Sequence, residues 1–221
     1  MNKTKIDWCD YTWNPITGCL NGCSYCYARR ISNRFVGHFK PTFHKDRLEQ
    51  PFKVKKPSLI FADSMSDFWG KGVRRDWRDE VYNVMNQTRQ HTYFLLTKQP
   101  QKITDMHYEI PSNCFIGVSV TCFDDRWRVA KLITNTGKKV KHFVSIEPLL
   151  DNTVSDYVYL VDWVIVGCLT GIGSKKYKPK KETIDEIVSN CKRLGIPVFI
   201  KGNCGYPEQI QEYPKLKDKG E

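Results

Sequence analysis

Seven apolar runs, most of them followed by a polar loop and a helical stretch, limit what this chain can fold into. They occupy residues 6–13, 58–62, 91–98, 114–120, 141–147, 162–167 and 197–201. Runs such as Trp163 to Val166 are continuously apolar rather than alternating, which suits a parallel strand covered on both faces. Between the runs, residues 76–90 carry Trp77, Val81, Val84 and Met85 at helical offsets. Residues 28–35, 101–108, 124–134 and 183–194 also read as helices, with Pro100 near the start of the second and Gly137 and Gly195 closing the last two. A repeated strand–loop–helix order predicts an α/β fold with a parallel sheet. A closed eight-stranded barrel takes about 250 residues, and this chain has 221. We therefore expect a partial or small (β/α) TIM-like barrel of six to seven parallel strands. A single domain is expected over 1–221, with basic insertions or loops at 36–57 and 171–181.

No apolar run reaches the length of a membrane-spanning helix. The first eight residues lack the apolar core of a secretory signal, so a cytoplasmic protein without a membrane partner is expected. Nine cysteines, an odd number with three clustered, do not fit a secreted disulfide framework. Cys9, Cys114, Cys122, Cys168, Cys191 and Cys204 are scattered and read by default as small buried apolar residues. Neither a Gly-x-Gly-x-x-Gly after the first strand nor a P-loop is present. The formal charge of +11 favours an anionic partner: nucleic acid, a phosphate or an acidic protein. In 36–57, Phe39, Phe43 and Phe52 interleave with basic residues, either as a partner surface or as loops whose aromatics enter the core. In 171–181, Lys175, Lys176, Lys178, Lys180 and Lys181 occur without an acid.

Cys19, Cys23 and Cys26 stand at C-x3-C-x2-C spacing between the first strand and the first helix. Gly18 and Gly22 give the loop room to turn tightly. This is the carboxyl end of a strand, where parallel α/β folds present their chemistry. Three thiolates without a nearby histidine leave a four-coordinate site one ligand short, and an iron–sulfur cluster with one open iron fits that set. An alternative is a zinc-binding, nucleic-acid interaction module in which Cys9 closes the site as a fourth thiolate. On the strand-end argument, Asp63, Asp67, Lys98, Ser119, Glu147, Gly167 and Lys201 share the rim with the three cysteines.

The cysteine spacing, with Tyr25 directly before the third cysteine, resembles the radical S-adenosylmethionine (radical SAM) superfamily. The resemblance implies a six-unit partial barrel and a [4Fe-4S] cluster on Cys19, Cys23 and Cys26, with the fourth iron taking the methionyl group of SAM. It implies reductive cleavage of SAM to a 5′-deoxyadenosyl radical, fed by an external one-electron reductant. A closer resemblance is to the phage Gp37/Gp68 family. It is carried by Trp13-Asn-Pro, the run from Gly18 to Arg30, Leu95 to Lys98, Gly117 to Val120, Ser145 to Leu150 and Val164 to Gly167. Where that family continues Gly-Glu-Ser-Gly, this chain has Cys168 to Gly171 and lacks the glutamate.

On the same resemblance, Asp63 and Ser64 occupy the place of the motif that holds the methionyl amino group. Tyr25 and Tyr27 lie near the adenine or shield the cluster. Ser119 and Glu147 fall where ribose and amino-acid contacts arise. Lys98 or Lys201 meets the SAM carboxylate or an anionic substrate. Cys168 is read as a hydrogen-atom donor or a ligand of a second cluster. Nucleic acid is one substrate reading, by analogy with a DNA-repair member of the superfamily. A non-catalytic partner that binds a cluster or SAM is a further alternative.

Overall fold

Short apolar runs rich in branched and aromatic residues become strands, whose ladder satisfies the backbone polar groups away from water. In the computed structural model, which describes residues 1–105, 110–151, 160–171, 174 and 177–216, every residue of strands β7 (Cys114–Ser119), β9 (Trp163–Val166) and β10 (Val198–Ile200) is buried. Lys175 and Lys176 of the second basic stretch, and residues 106–108 of the expected 101–108 helix, lie outside the described residues. Contacts divide the chain into two compact units, residues 1–115 and the described residues from Ile116 on.

The first unit carries β1 (Asn2–Lys3), β2 (Tyr11–Trp13), β3 (Ile16–Thr17), α1 (Tyr27–Phe35), β4 (Thr42–Phe43), β5 (Leu59–Ala62), α2 (Arg75–Gln87) and β6 (Thr92–Thr97). Its strands run in the order β1-β2-β5-β6, with β3 and β4 as a separate ribbon. β2 pairs parallel with β5, Trp13 opposite Ala62, and β5 pairs parallel with β6, Ala62 opposite Leu95. The expectation of parallel strands alone is corrected here. β1 pairs antiparallel with β2, and β3 pairs antiparallel with β4, so pairing in this unit is mixed. The first strand is also shorter than the apolar run 6–13. Trp8 and Cys9 are buried in a turn, and Trp8 packs its ring against Phe61 and Phe94 at 4.8 and 5.6 Å. Burial, not strand pairing, explains their apolar character.

The basic segment 36–57 is tied down rather than loose. Phe39 is buried, and Phe43 stacks on Trp77 of α2 at 5.5 Å. Trp13 Nε1 donates to the Arg47 carbonyl at 2.8 Å, and the Arg47 guanidinium donates to the Asn14 carbonyl at 3.0 Å. Two 3-10 turns, Lys45–Arg47 and Pro51–Lys53, stand where the prolines forbid a longer helix.

The second unit carries most of β7, then α3 (Trp127–Thr136), β8 (Lys141–Ile146), β9, α4 (Lys181–Leu194) and β10. β8 pairs parallel with β9, Ser145 opposite Ile165, and β9 pairs parallel with β10. Gly117 is the place where a side chain would not fit: a Cβ there would stand 2.5 Å from the Phe143 ring. Gly195 ends α4 in the left-handed conformation. Among the described residues no helix is long and apolar enough to cross a membrane.

Candidate metal and cofactor site

The cysteine loop starts at Gly18, whose φ of 89° and close approach to the Lys40 carbonyl exclude a side chain. Gly18 N–H donates to the Met65 carbonyl at 2.9 Å and Cys19 N–H to the Phe39 carbonyl at 3.0 Å, so both ends of the approach are fixed. Cys26 caps α1: its Sγ accepts the Arg29 N–H at 3.3 Å. Cys19 Sγ accepts the Asn21 N–H at 3.4 Å. All three cysteines are half-buried and outside any disulfide. Burial pushes the Cys19 thiol up to about 11; Asn21 N–H pulls it back, while Asp67, Cys23 and Cys26 push it further up. A cation or cluster that replaces the thiol proton would remove this burial cost.

Among the described residues no three His, Cys, Asp or Glu side chains already stand in an arrangement that would hold a metal ion. The chemistry of the donor set nevertheless fits an iron–sulfur cluster. Three free thiols come from one loop, and two of the sulfurs accept backbone N–H groups, a contact that tunes cluster potential.

Behind the loop stands a carboxyl group that the fold uses as a hub. Asp67 is buried and accepts from Thr97 Oγ1 at 2.6 Å, from Lys98 N–H at 2.9 Å and from Asn21 Nδ2 at 2.8 Å. Gln99 Nε2 donates to Asn21 Oδ1. The residue between Cys19 and Cys23 is thus anchored to the end of β6. Nothing local marks Asn21 or Gln99 in the sequence, because their partners lie 46 and 78 residues away.

The expected residues Asp63, Ser64 and Tyr27 come together. Tyr27 Oη donates to the Ser64 carbonyl at 2.9 Å, and Ser64 Oγ donates to Asn14 Oδ1 at 3.1 Å. Asp63 is buried at φ 57°, with Oδ1 accepting the Ile16 N–H at 3.0 Å and Oδ2 unpartnered among the described residues. Burial holds its carboxyl well above the usual range; Ile16 N–H opposes this and Asp67 adds to it. Asp63 braces β3 through its Oδ1 and the Ile16 N–H. Lys98 Nζ stands 5.9 Å from the Tyr25 ring centroid.

In the second unit, Lys201 Nζ and Glu147 Oε1 form an ion pair. The Glu147 side chain lies over Gly167, where a Cβ would stand 2.8 Å from Glu147 Cδ. Ser119 is buried with its Oγ unpartnered among the described residues, and its carbonyl accepts from Arg128 at 2.8 Å. Cys168 and Cys204 form a disulfide across a Cα separation of 5.0 Å. Asn203 bridges the same point, accepting the Cys168 N–H at 3.2 Å and donating to its carbonyl at 2.7 Å. Cys191 is buried and takes no part in the pair. In the disulfide Cys168 carries no hydrogen to donate and no thiolate to ligate, so either expected role requires reduction first.

Solved structures place the fold. A spore photoproduct lyase variant with bound AdoMet and dinucleoside spore photoproduct matches with a TM-score of 0.64 at 13% identity, covering 90% of this chain and 78% of that one. A cysteine-to-serine variant of the lyase matches with a TM-score of 0.62 at 13% identity and the same coverage. The lyase complexed with dinucleoside spore photoproduct gives 0.60 at 11% identity, again with 90% and 78% covered. The chain therefore shares the α/β fold of spore photoproduct lyase, with both parallel and antiparallel strand pairing. Its family is the one described as "Protein of unknown function (DUF5131)", to which it belongs by a match over residues 3–220. No curated protein matches the sequence.

Proposed function

We propose that this chain is a radical SAM enzyme acting on an anionic substrate, with Cys19, Cys23 and Cys26 holding a [4Fe-4S] cluster. The observation that carries the reading is the cysteine loop: three free thiols at C-x3-C-x2-C, on a segment locked by Gly18, Asn21 and the start of α1. Bound there, the cluster with SAM supplies one-electron reductive cleavage of the sulfonium and hydrogen abstraction from the substrate.

The chain's own groups then have positioning tasks. The Ser64 carbonyl, fixed by Tyr27, is the acceptor for a methionyl ammonium, and the unpartnered Asp63 Oδ2 adds a second acceptor once that ammonium holds the carboxyl ionised. Lys98, set against Tyr25, supplies a cation for a carboxylate or a phosphate. Ser119 Oγ, buried and unpartnered among the described residues, is a hydroxyl for a ribose oxygen. Lys201 serves an anion only by giving up Glu147. Cys168 acts as a thiol only after its bond to Cys204 is reduced. The charge of +11 supports an anionic substrate, nucleic acid included. Membership of the phage Gp37/Gp68 family belongs to the same reading, carried by the motifs from Trp13 to Gly167.

Anaerobic reconstitution tests it. We expect about four irons and four sulfides per chain, a visible cluster spectrum, and 5′-deoxyadenosine formed from SAM only when a reductant is added. One zinc, no acid-labile sulfide and no SAM binding would instead establish the zinc module. A full cluster that never yields 5′-deoxyadenosine would establish a non-catalytic binding partner.

A further inference from the structure

Helix α1 is amphipathic in the reverse sense. At 3.6 residues per turn, Arg30, Arg34, Tyr27, Ile31 and Phe35 fall side by side along one stripe. That stripe faces solvent: Tyr27 is 48% exposed, Ile31 46% and Phe35 75%, and both arginines are exposed. The covered side holds only Ala28, Ser32 and Arg29, the last turned toward the Cys19 carbonyl at 3.5 Å. The apolar side chains that would normally bind a helix to its core point outward instead. Leu20, 49% exposed in the cysteine loop, adds to the exposed apolar surface of this segment.

Three features together define the occupant. The first is charge: no acidic residue occurs between Asp10 and Asp46, and among the described residues neither Arg30 nor Arg34 is in an ion pair. A second copy of the chain would bring Arg30 and Arg34 against their own kind. The second is composition: Arg30 and Arg34 beside Tyr27, Ile31 and Phe35 are the mixture of a protein interface. Single-stranded nucleic acid prefers rows of adjacent aromatic platforms, whereas on this stripe Ile31 separates Tyr27 from Phe35. The third is place. Cys26, the cap of this helix, is one of the three proposed cluster ligands, so the face begins at the next residue. Phe35 lies about 13 Å further along the helix axis. A partner seated on it stands beside the loop.

We infer that the exposed face of α1 docks an acidic one-electron carrier protein, which delivers the electron that the proposed cluster needs. This rests on the radical SAM reading above. The transfer is simple in balance: the carrier loses one electron, the cluster gains it, and no bond forms or breaks. Arg30 and Arg34 would steer the encounter, and Ile31 and Phe35 would exclude water once docked.

The test uses the full chain with reconstituted cluster, reduced flavodoxin as the acidic carrier and dithionite as a small reductant. Two double variants are compared with the parent, Arg30→Glu with Arg34→Glu and Ile31→Ser with Phe35→Ser. All four positions are exposed, and circular dichroism checks the fold. We expect each pair to slow cluster bleaching by flavodoxin about tenfold or more. Iron content and bleaching by dithionite should stay at the parent's level. Raising salt should slow the parent with flavodoxin and leave the glutamate pair nearly unaffected. Calorimetric titration of oxidised flavodoxin into the cluster-free chain should show the same loss of affinity. Unchanged flavodoxin rates and affinities in both variants would overturn the docking assignment. So would variants that lose affinity for a single-stranded oligonucleotide while keeping the flavodoxin rate. A parent that assembles no cluster, or whose cluster dithionite cannot reduce, would defeat the underlying reading and the docking role with it.

Discussion

Beyond β5 and β6, the first unit spends its polar groups on holding a loop: Asp67 takes Asn21, Thr97 and Lys98, and Asp63 takes Ile16. Beyond β8, β9 and β10, the second unit joins such groups to one another, as Glu147 with Lys201 and Cys168 with Cys204. The first arrangement fixes three thiols on one segment and leaves them free. The second leaves Lys201, Cys168 and Cys204 already engaged, so a ligand that uses them must displace or reduce something first. A rim position is therefore not informative by itself; what the side chain is already bonded to decides what it has left to offer.

The largest effect that would sharpen this contrast is on bound iron. Alanine at Cys19, Cys23 or Cys26 should each abolish cluster assembly, whereas Cys168→Ala should retain the parent's iron and sulfide. A single loop mutant that keeps a full cluster breaks the contrast at its centre. Next comes Asp67→Ala, which strands three donors at a buried point. With a cost of about 1 kcal/mol or more for each, it should lower stability in urea by about 3 kcal/mol. Glu147→Gln should cost less, about 1 kcal/mol, because its ion pair with Lys201 is partly exposed. Equal losses for the two variants would show that hub and pair do not differ in kind.

The smallest effect is in pH, where the units should respond with opposite sign. Asp63 keeps its proton in the folded chain above the ordinary value of 3.8, chiefly through burial. Its contribution is full below 3.8 and is lost as pH rises through the folded value. His142 is lowered from 6.5 by burial, partly offset by Asp162. Its contribution is full above 6.5 and is lost as pH falls through the folded value. Acidification from neutral should therefore favour the first group and penalise the second. Urea midpoints for Asp63→Asn and His142→Gln between pH 7 and 5 should differ from the parent in opposite slopes; slopes of the same sign would refute the assignment.

Much of the fold was legible because continuous burial leaves a continuous apolar record. The runs 114–120, 141–147 and 162–167 match β7, β8 and β9 to within a residue at each end. β1, β3 and β4 left no such record. Asn2 and Lys3 are exposed, and two-residue strands carry too little pattern to read. Trp8 misled in the other direction, since a turn can bury a ring as fully as a strand. In the site, the spacing of Cys19, Cys23 and Cys26 was visible because the three are local. The Asn21–Asp67 bond and the Cys168–Cys204 pair were not, with 46 and 36 residues between partners and six scattered cysteines offering no preferred pairing.

Cys26 has one more consequence. Its sulfur is at once the last thiol of the loop and the acceptor that begins α1. Whatever binds that sulfur also takes hold of the helix's first turn, so occupancy of the loop is written into backbone protection. The Arg29 amide becomes a gauge: its exchange with solvent should slow when the sulfur is pinned and quicken when the loop is empty. A change of state at the cysteines would then be felt at the start of the surface formed by Tyr27, Ile31 and Phe35, without any side chain of that surface touching the ligand.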